Sequence, residues 1–132
     1  MFMEESLQSS VLIVDDSVIN TRVVTNMLAD LGYKIHAAKD GLQALKLLTT
    51  FQPSVILMDI TMPIMDGFEC CRRIKQSASR AHIPVIFMSG SQDQRDITRA
   101  TQVGGRGYLI KPINEEQLKS EVEFNMPWAE VS

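Results

Sequence analysis

Five times along this chain a short apolar run stops at a polar residue and gives way to helical spacing, and no other feature narrows its fold so far. Val11-Leu12-Ile13-Val14 ends in Asp15-Asp16, residues 55–58 end in Asp59, residues 84–88 end in Ser89-Gly90-Ser91, and Tyr108-Leu109-Ile110 ends in Lys111-Pro112; residues 33–38 supply the fifth run. Residues 11–14 and 55–58 read as strands buried on both faces, and the other three runs as strands beside them. The intervening segments read as helices. Ser17 is placed as an N-cap ahead of Ile19, Val23, Val24, Met27, Leu28 and Leu31, with Gly32 at the C′ position. Asp40 opens a second helix carrying Ala44, Leu45 and Leu48, and residues 65–74 form a third with Gly67, Cys71 and Ile74 on one face. Residues 92–103 form a fourth with only Ile97, Ala100 and Val103 as its apolar stripe, and Asn114 with Gln117 fits a capping box for a fifth.

Strands alternating with helices define an α/β domain with a central parallel sheet. Right-handed crossovers leave few arrangements, and the doubly wound, flavodoxin-like (βα)5 order 2-1-3-4-5 is the expected one. The 132 residues make one domain of ordinary size. We divide them into a loose leader at 1–9, the folded domain at 10–124, and a tail or start of a linker at 125–132. Hydrophobic residues at 45% and charged residues at 22% exclude a disordered chain. No apolar run approaches the ~18 residues of a membrane span, and the acidic start is unlike a secretory signal, so a cytoplasmic location is expected. Cys70 and Cys71 are adjacent, which rules out both an ordinary loop-closing disulfide and a CxxC metal site; we assign them to helix packing with at most one buried.

Net charge is −3, from 16 acids against 13 bases, which argues against a nucleic-acid surface. Setting aside Asp15, Asp16 and Asp59 leaves 13 acids against 13 bases, so the excess can be local. A local excess of carboxylates points to a cation. In open parallel sheets, ligands bind beyond the carboxyl ends of the strands where strand order reverses, here between strands 1 and 3. Asp15, Asp16, Asp59, Ser89 and Lys111 all stand at strand ends and should meet at that rim. Two like charges 4 Å apart repel by about 4 kcal/mol at an effective dielectric of ~20, so the cluster needs a counter-charge. Lys111 supplies part. A donor set made of oxygen alone, with His36 and His82 elsewhere, favours Mg²⁺ or Mn²⁺ over zinc. A carboxylate beside such an ion can attack a phosphoryl group. Asp59, alone on the central strand, is the expected nucleophile, with Asp15 and Asp16 on the metal, Lys111 on a phosphoryl oxygen and the Ser89 hydroxyl on another.

Leu12-Ile13-Val14-Asp15-Asp16, Asp59-Ile60-Thr61-Met62-Pro63-Ile64-Met65-Asp66-Gly67 and Gly107-Tyr108-Leu109-Ile110-Lys111-Pro112 together resemble the signature segments of response-regulator receiver domains. The resemblance extends over roughly residues 10–124. It implies that Asp59 is the phosphoacceptor, that the donor is a histidine kinase or a histidine phosphotransfer protein, and that Asp15, Asp16, Asp59 and the Thr61 backbone carbonyl hold Mg²⁺. It also implies a switch built from the Ser89 hydroxyl and the Tyr108 ring, read out at the face of helix 4, strand 5 and helix 5 by a downstream protein, an output domain or a second copy in a phosphorylation-dependent dimer. Two positions depart from the usual pattern: Ser89 stands where threonine is commoner, and Gly90 where alanine is. Asp66-Gly67 is expected to be structural, turning the chain and letting the helix pack close.

Two other readings use the same residues. A Mg²⁺-dependent phosphohydrolase with an aspartyl-phosphate intermediate is one, but hydrolases of the haloacid-dehalogenase type space nucleophile and acid two residues apart after strand 1, whereas the acids here are adjacent. A phosphorylation-independent module of the same fold is the other, and it leaves the complete acid cluster without a purpose.

Overall fold

A computed structural model describes residues 9–127. Five parallel strands, β1 (Ser10–Val14), β2 (Lys34–Ala38), β3 (Val55–Asp59), β4 (Val85–Ser89) and β5 (Gly107–Ile110), form one sheet in the order β2-β1-β3-β4-β5. Val11 pairs with Ile35 on one side and Val55 on the other, and this register brings the carboxyl ends of β1, β3 and β4 to one edge of the sheet. Every residue of β3 and β4 is buried, as their unbroken apolar runs require.

Side chains alternate across the sheet and feed two cores. Leu12, Val14, Ile56, Met58, Val85 and Phe87 pack with α2 (Gly41–Leu47), α3 (Gly67–Gln76) and α4 (Gln94–Gln102). Val11, Ile13, Val55, Leu57, Ile86, Met88 and Leu109 pack with α1 (Val18–Leu28) and α5 (Glu115–Phe124). Each of the five helices begins with a side-chain cap: Ser17, Asp40, Asp66, Asp93 and Asn114 accept from backbone N–H groups of the first turn. Asn125 caps the end of α5, and Met126 is fully buried in the second core.

One packing expectation needs correction. Both Cys70 and Cys71 are buried, because α3 lies between two helices. The Cys70 thiol faces the Gly41 carbonyl of α2 at 3.8 Å, and the Cys71 thiol faces the Val103 carbonyl at the end of α4 at 3.4 Å. In α1, Val24 and Leu28 are buried, but Ile19 and Val23 are 75% and 42% exposed. Consecutive helical residues are turned about 100° apart, so the 19/23 pair is carried off the face that 24 and 28 present to the sheet. The α-helix stops at Leu28, continues as a 3-10 turn over Ala29–Leu31, and ends on Gly32 with φ of 79°.

Candidate functional site

β1 and β3 are neighbours whose chains leave the sheet in opposite lateral directions, and the cleft between their ends holds the acids. Asp15 directly follows β1. Its N–H donates to the Ala38 carbonyl, and its Oδ1 accepts the Ser17 N–H at 2.8 Å, which fixes the carboxylate at the start of α1. Asp59 is the last residue of β3 and accepts a backbone hydrogen bond from Thr61. Asp16 is exposed, and one carboxylate oxygen from each of Asp15, Asp16 and Asp59 lies within 4.8 Å of the other two. From β5, Lys111 reaches back across the sheet edge. Its Nζ stands 3.2 Å from Asp59 Oδ1 and 3.5 Å from Asp15 Oδ2. The Lys111 N–H donates to the Ser89 carbonyl at 2.8 Å, so the ladder of β4 and β5 sets where that lysine begins.

The closeness of the start of α3 to this cleft depends on one residue without a side chain. A Cβ on Gly67 would lie 2.3 Å from the Asp59 carbonyl oxygen, and the Gly67 N–H donates to the Ile60 carbonyl at 2.8 Å. Asp66-Gly67 therefore has the structural part expected of it, with Asp66 as the N-cap of α3. In the loop between β3 and α3, Ile64 adopts φ of 73° and is 75% exposed. A β-branched residue is disfavoured there.

Burial raises the Asp59 pKa above the ordinary carboxylate value and the neighbouring Asp15 charge raises it further, while Lys111 and the Thr61 N–H pull the other way. Burial is the largest of these influences, so the net direction is upward. Three clustered carboxylates with oxygen donors only, open to solvent at Asp16, fit a hard divalent cation such as Mg²⁺. Beside the cleft, a groove of about 300 Å³ lined by Val23, Met27, Met88, Pro112 and Ile113 opens next to Asp15 and Lys111.

Asp15, Asp16, Asp59 and Lys111 thus meet as the strand ends implied, and Thr61 touches Asp59 through its backbone. Ser89 ends β4, which pairs directly with β3, and its hydroxyl accepts the Ser91 N–H at 3.0 Å. Tyr108 is half-buried against the first core, and its hydroxyl donates to the Ser91 carbonyl at 2.9 Å. His82 is exposed in a loop, and His36 packs on Phe51 with ring centroids 4.3 Å apart, so neither enters the site. Asp96, whose carboxylate accepts the Ser91 hydroxyl at 2.6 Å, escaped the reading of the sequence. A five-residue separation across a helix start matches neither helical nor strand periodicity, so it leaves no signal.

Comparison with known proteins agrees with this architecture. The family profile of the response regulator receiver domain matches residues 11–123, and the chain belongs to that family. A probable cyclic di-GMP phosphodiesterase of Vibrio cholerae is 37% identical over 126 residues, covering 96% of this chain but 28% of its own length. Response regulator PleD of Caulobacter vibrioides is 33% identical, with 88% of this chain and 26% of its own length covered. The chain therefore spans about a quarter of each of these relatives. Protein PilH of Pseudomonas aeruginosa is 36% identical and matched over 89% of its length and 82% of this chain. Among solved structures, chemotaxis protein CheY4 of Vibrio cholerae superimposes with a TM-score of 0.85 at 29% identity, covering 90% of this chain and 99% of that one.

Proposed function

We propose that the chain is a phosphoacceptor switch in which Asp59 receives a phosphoryl group from a phosphohistidine of a histidine kinase or histidine phosphotransfer protein in the cytoplasm. An Asp59 carboxylate oxygen forms the new P–O bond as the P–N bond to the donor imidazole breaks, and the imidazole leaves with the bond electrons and takes up a proton. The observation that carries this reading is the meeting of Asp59 with Asp15 and Asp16 within 4.8 Å, and with Lys111 at 3.2 Å, at the end of a central strand.

The chain's own groups divide the work. Asp15, Asp16, Asp59 and the Thr61 carbonyl are the ligands we assign to Mg²⁺, with Mn²⁺ as a substitute. Bound there, the ion supplies positive charge to the phosphoryl oxygens during transfer. Lys111 supplies a second positive centre and holds Asp59 in place before transfer. The Ser89 hydroxyl, at the neighbouring strand end, turns to donate to a phosphoryl oxygen. Tyr108 follows inward, and the face formed by α4, β5 and α5 changes shape for its partner. On that face a hollow of about 660 Å³, lined by Gln92, Tyr108, Ile110, Gln117, Ser120 and Glu121, is available to a downstream protein, an output domain or a second copy. The chain is no turnover enzyme on this account: its chemistry is limited to its own phosphorylation and dephosphorylation.

Incubation with acetyl phosphate and Mg²⁺ tests the reading. The expected result is one phosphoryl group per chain, lost in Asp59→Asn and abolished by chelation. Sustained release of free phosphate at constant rate would instead mark a phosphohydrolase, and no uptake with Mg²⁺ present would mark a binding module.

A further inference from the structure

At the end of the sheet opposite the acid cleft lies a cavity that phosphoryl transfer to Asp59 does not use. Ser54, Pro84 and Arg106 directly precede β3, β4 and β5, and the register of those strands sets the three side by side. Together with Pro53, with His82 from the loop before β4 and with Pro127 from beyond α5, they line a pocket of about 440 Å³. That volume falls in the range of small-molecule sites, roughly 300–1,000 Å³.

Its charge is the reverse of that at the acid cleft. No described lining residue is a carboxylate, whereas Arg106 brings a guanidinium and His82 an imidazole. Lys75 adds to them: its Nζ donates to the Ala81 and Ile83 carbonyls at 2.9 and 2.5 Å, the residues on either side of His82. Burial lowers the Lys75 pKa, and Arg106 lowers it further against an opposing effect of Cys71, so the two cations stand within electrostatic reach of each other. The carbonyl end of α5, which would repel an anion, is turned to internal donors, since the Glu121 carbonyl accepts both the N–H and the Nδ2 of Asn125.

The walls are fixed before any ligand arrives. The Ser54 N–H donates to the Ser10 carbonyl at 2.8 Å, and the Ser54 Oγ accepts the Ser10 N–H at 3.2 Å, which leaves the Ser54 O–H to donate. The Ile56 N–H holds the Pro84 carbonyl at 2.9 Å, and the Arg106 N–H holds the Val85 carbonyl at 2.8 Å. Three proline rings with restricted φ supply stiff apolar faces.

We propose that this pocket is a second ligand site, for a small molecule that carries an oxyanion on a flat apolar body. The Arg106 guanidinium, whose planar fork matches carboxylate and phosphate alike, takes the anion. The His82 imidazole donates to it as well, because even the neutral ring carries one N–H. The Ser54 hydroxyl adds a third donor, and the apolar body lies against Pro53, Pro84 and Pro127. Binding costs little ordering in a pocket already built. None of this depends on Asp59.

Amide NMR of the whole chain without Mg²⁺, titrated separately with phenyl phosphate, benzoate and the neutral benzyl alcohol, tests the proposal. At least one of the two anions should give saturable shifts at Ser54, His82, Arg106 and Asn125 while the Asp15 and Asp59 amides stay in place. The tighter of the two tells whether a phosphate or a carboxylate is the natural headgroup. Affinity should fall roughly tenfold in Arg106→Gln and roughly fivefold in His82→Ala, both exposed positions whose replacement leaves the core intact. No saturable shift with either anion, an equal response to benzyl alcohol, or unchanged affinity in both variants would overturn it. Each of these results leaves phosphoryl uptake at Asp59 untouched, so the two readings fail separately.

Discussion

Asp59 is held in an arrangement that serves chemistry at some expense to stability. Its carboxylate is buried beside Asp15, and both effects lift its pKa above the usual value. Above the ordinary carboxylate range, the native state therefore retains a proton that the unfolded chain has lost. Stability must fall as pH rises through the window between the ordinary and the raised values, and the ionised pair costs most at neutral pH. In chelated buffer, Asp59→Asn should raise unfolding free energy at pH 7 by on the order of 1–2 kcal/mol, with the gain shrinking towards pH 4. Denaturant titration at both pH values checks this, and a destabilised Asn variant would show that the Lys111 contact outweighs the repulsion. Ile64 is a second strained residue. Its positive φ suits asparagine or glycine, so Ile64→Asn should stabilise by about 1 kcal/mol in the same measurement. Nothing in the sequence marked this residue, since a left-handed conformation in a loop is imposed by the elements it joins. Asp15, Asp59 and Lys111 were legible because each ends a strand whose apolar run is unmistakable.

At the scale of elements, α3 meets the site through Gly67. A methyl group there would lie 2.3 Å from the Asp59 carbonyl oxygen, a backbone atom that cannot swing aside. Gly67→Ala should therefore cost about 3 kcal/mol or more and displace the end of β3. Urea unfolding measures the first effect and loss of phosphoryl uptake the second; a fully active, equally stable variant would show that the helix start can move. The same helix explains why one packing expectation failed. Helical spacing located the buried face of α3 through Cys71 and Ile74, but not the width of the buried arc, which depends on α2 and α4 flanking it. In α1, periodicity marks the helix without marking which of its residues are buried. Its periodic apolar residues include Ile19 and Val23, which lie off the sheet-facing stripe. Pattern alone does not separate a buried apolar residue from one left at a rim.

Across the whole molecule, the strand order came from chain logic: five strands alternating with helices through right-handed crossovers leave few sheets, and the observed one places β1 beside β3. That adjacency assembles the site, because it brings Asp15 and Asp59 together from residues 44 apart. What the sequence did not disclose is the hydrogen-bonded route from Ser89 through Ser91 to α4, since it depends on side-chain rotamers in a loop. The account stands or falls on where phosphorus arrives. Transfer from a phosphorylated histidine phosphotransfer domain in Mg²⁺, followed by peptide mass spectrometry, should place a single phosphoryl group on the peptide containing Asp59. Label on any other residue, or transfer undiminished in Asp59→Asn, would contradict it.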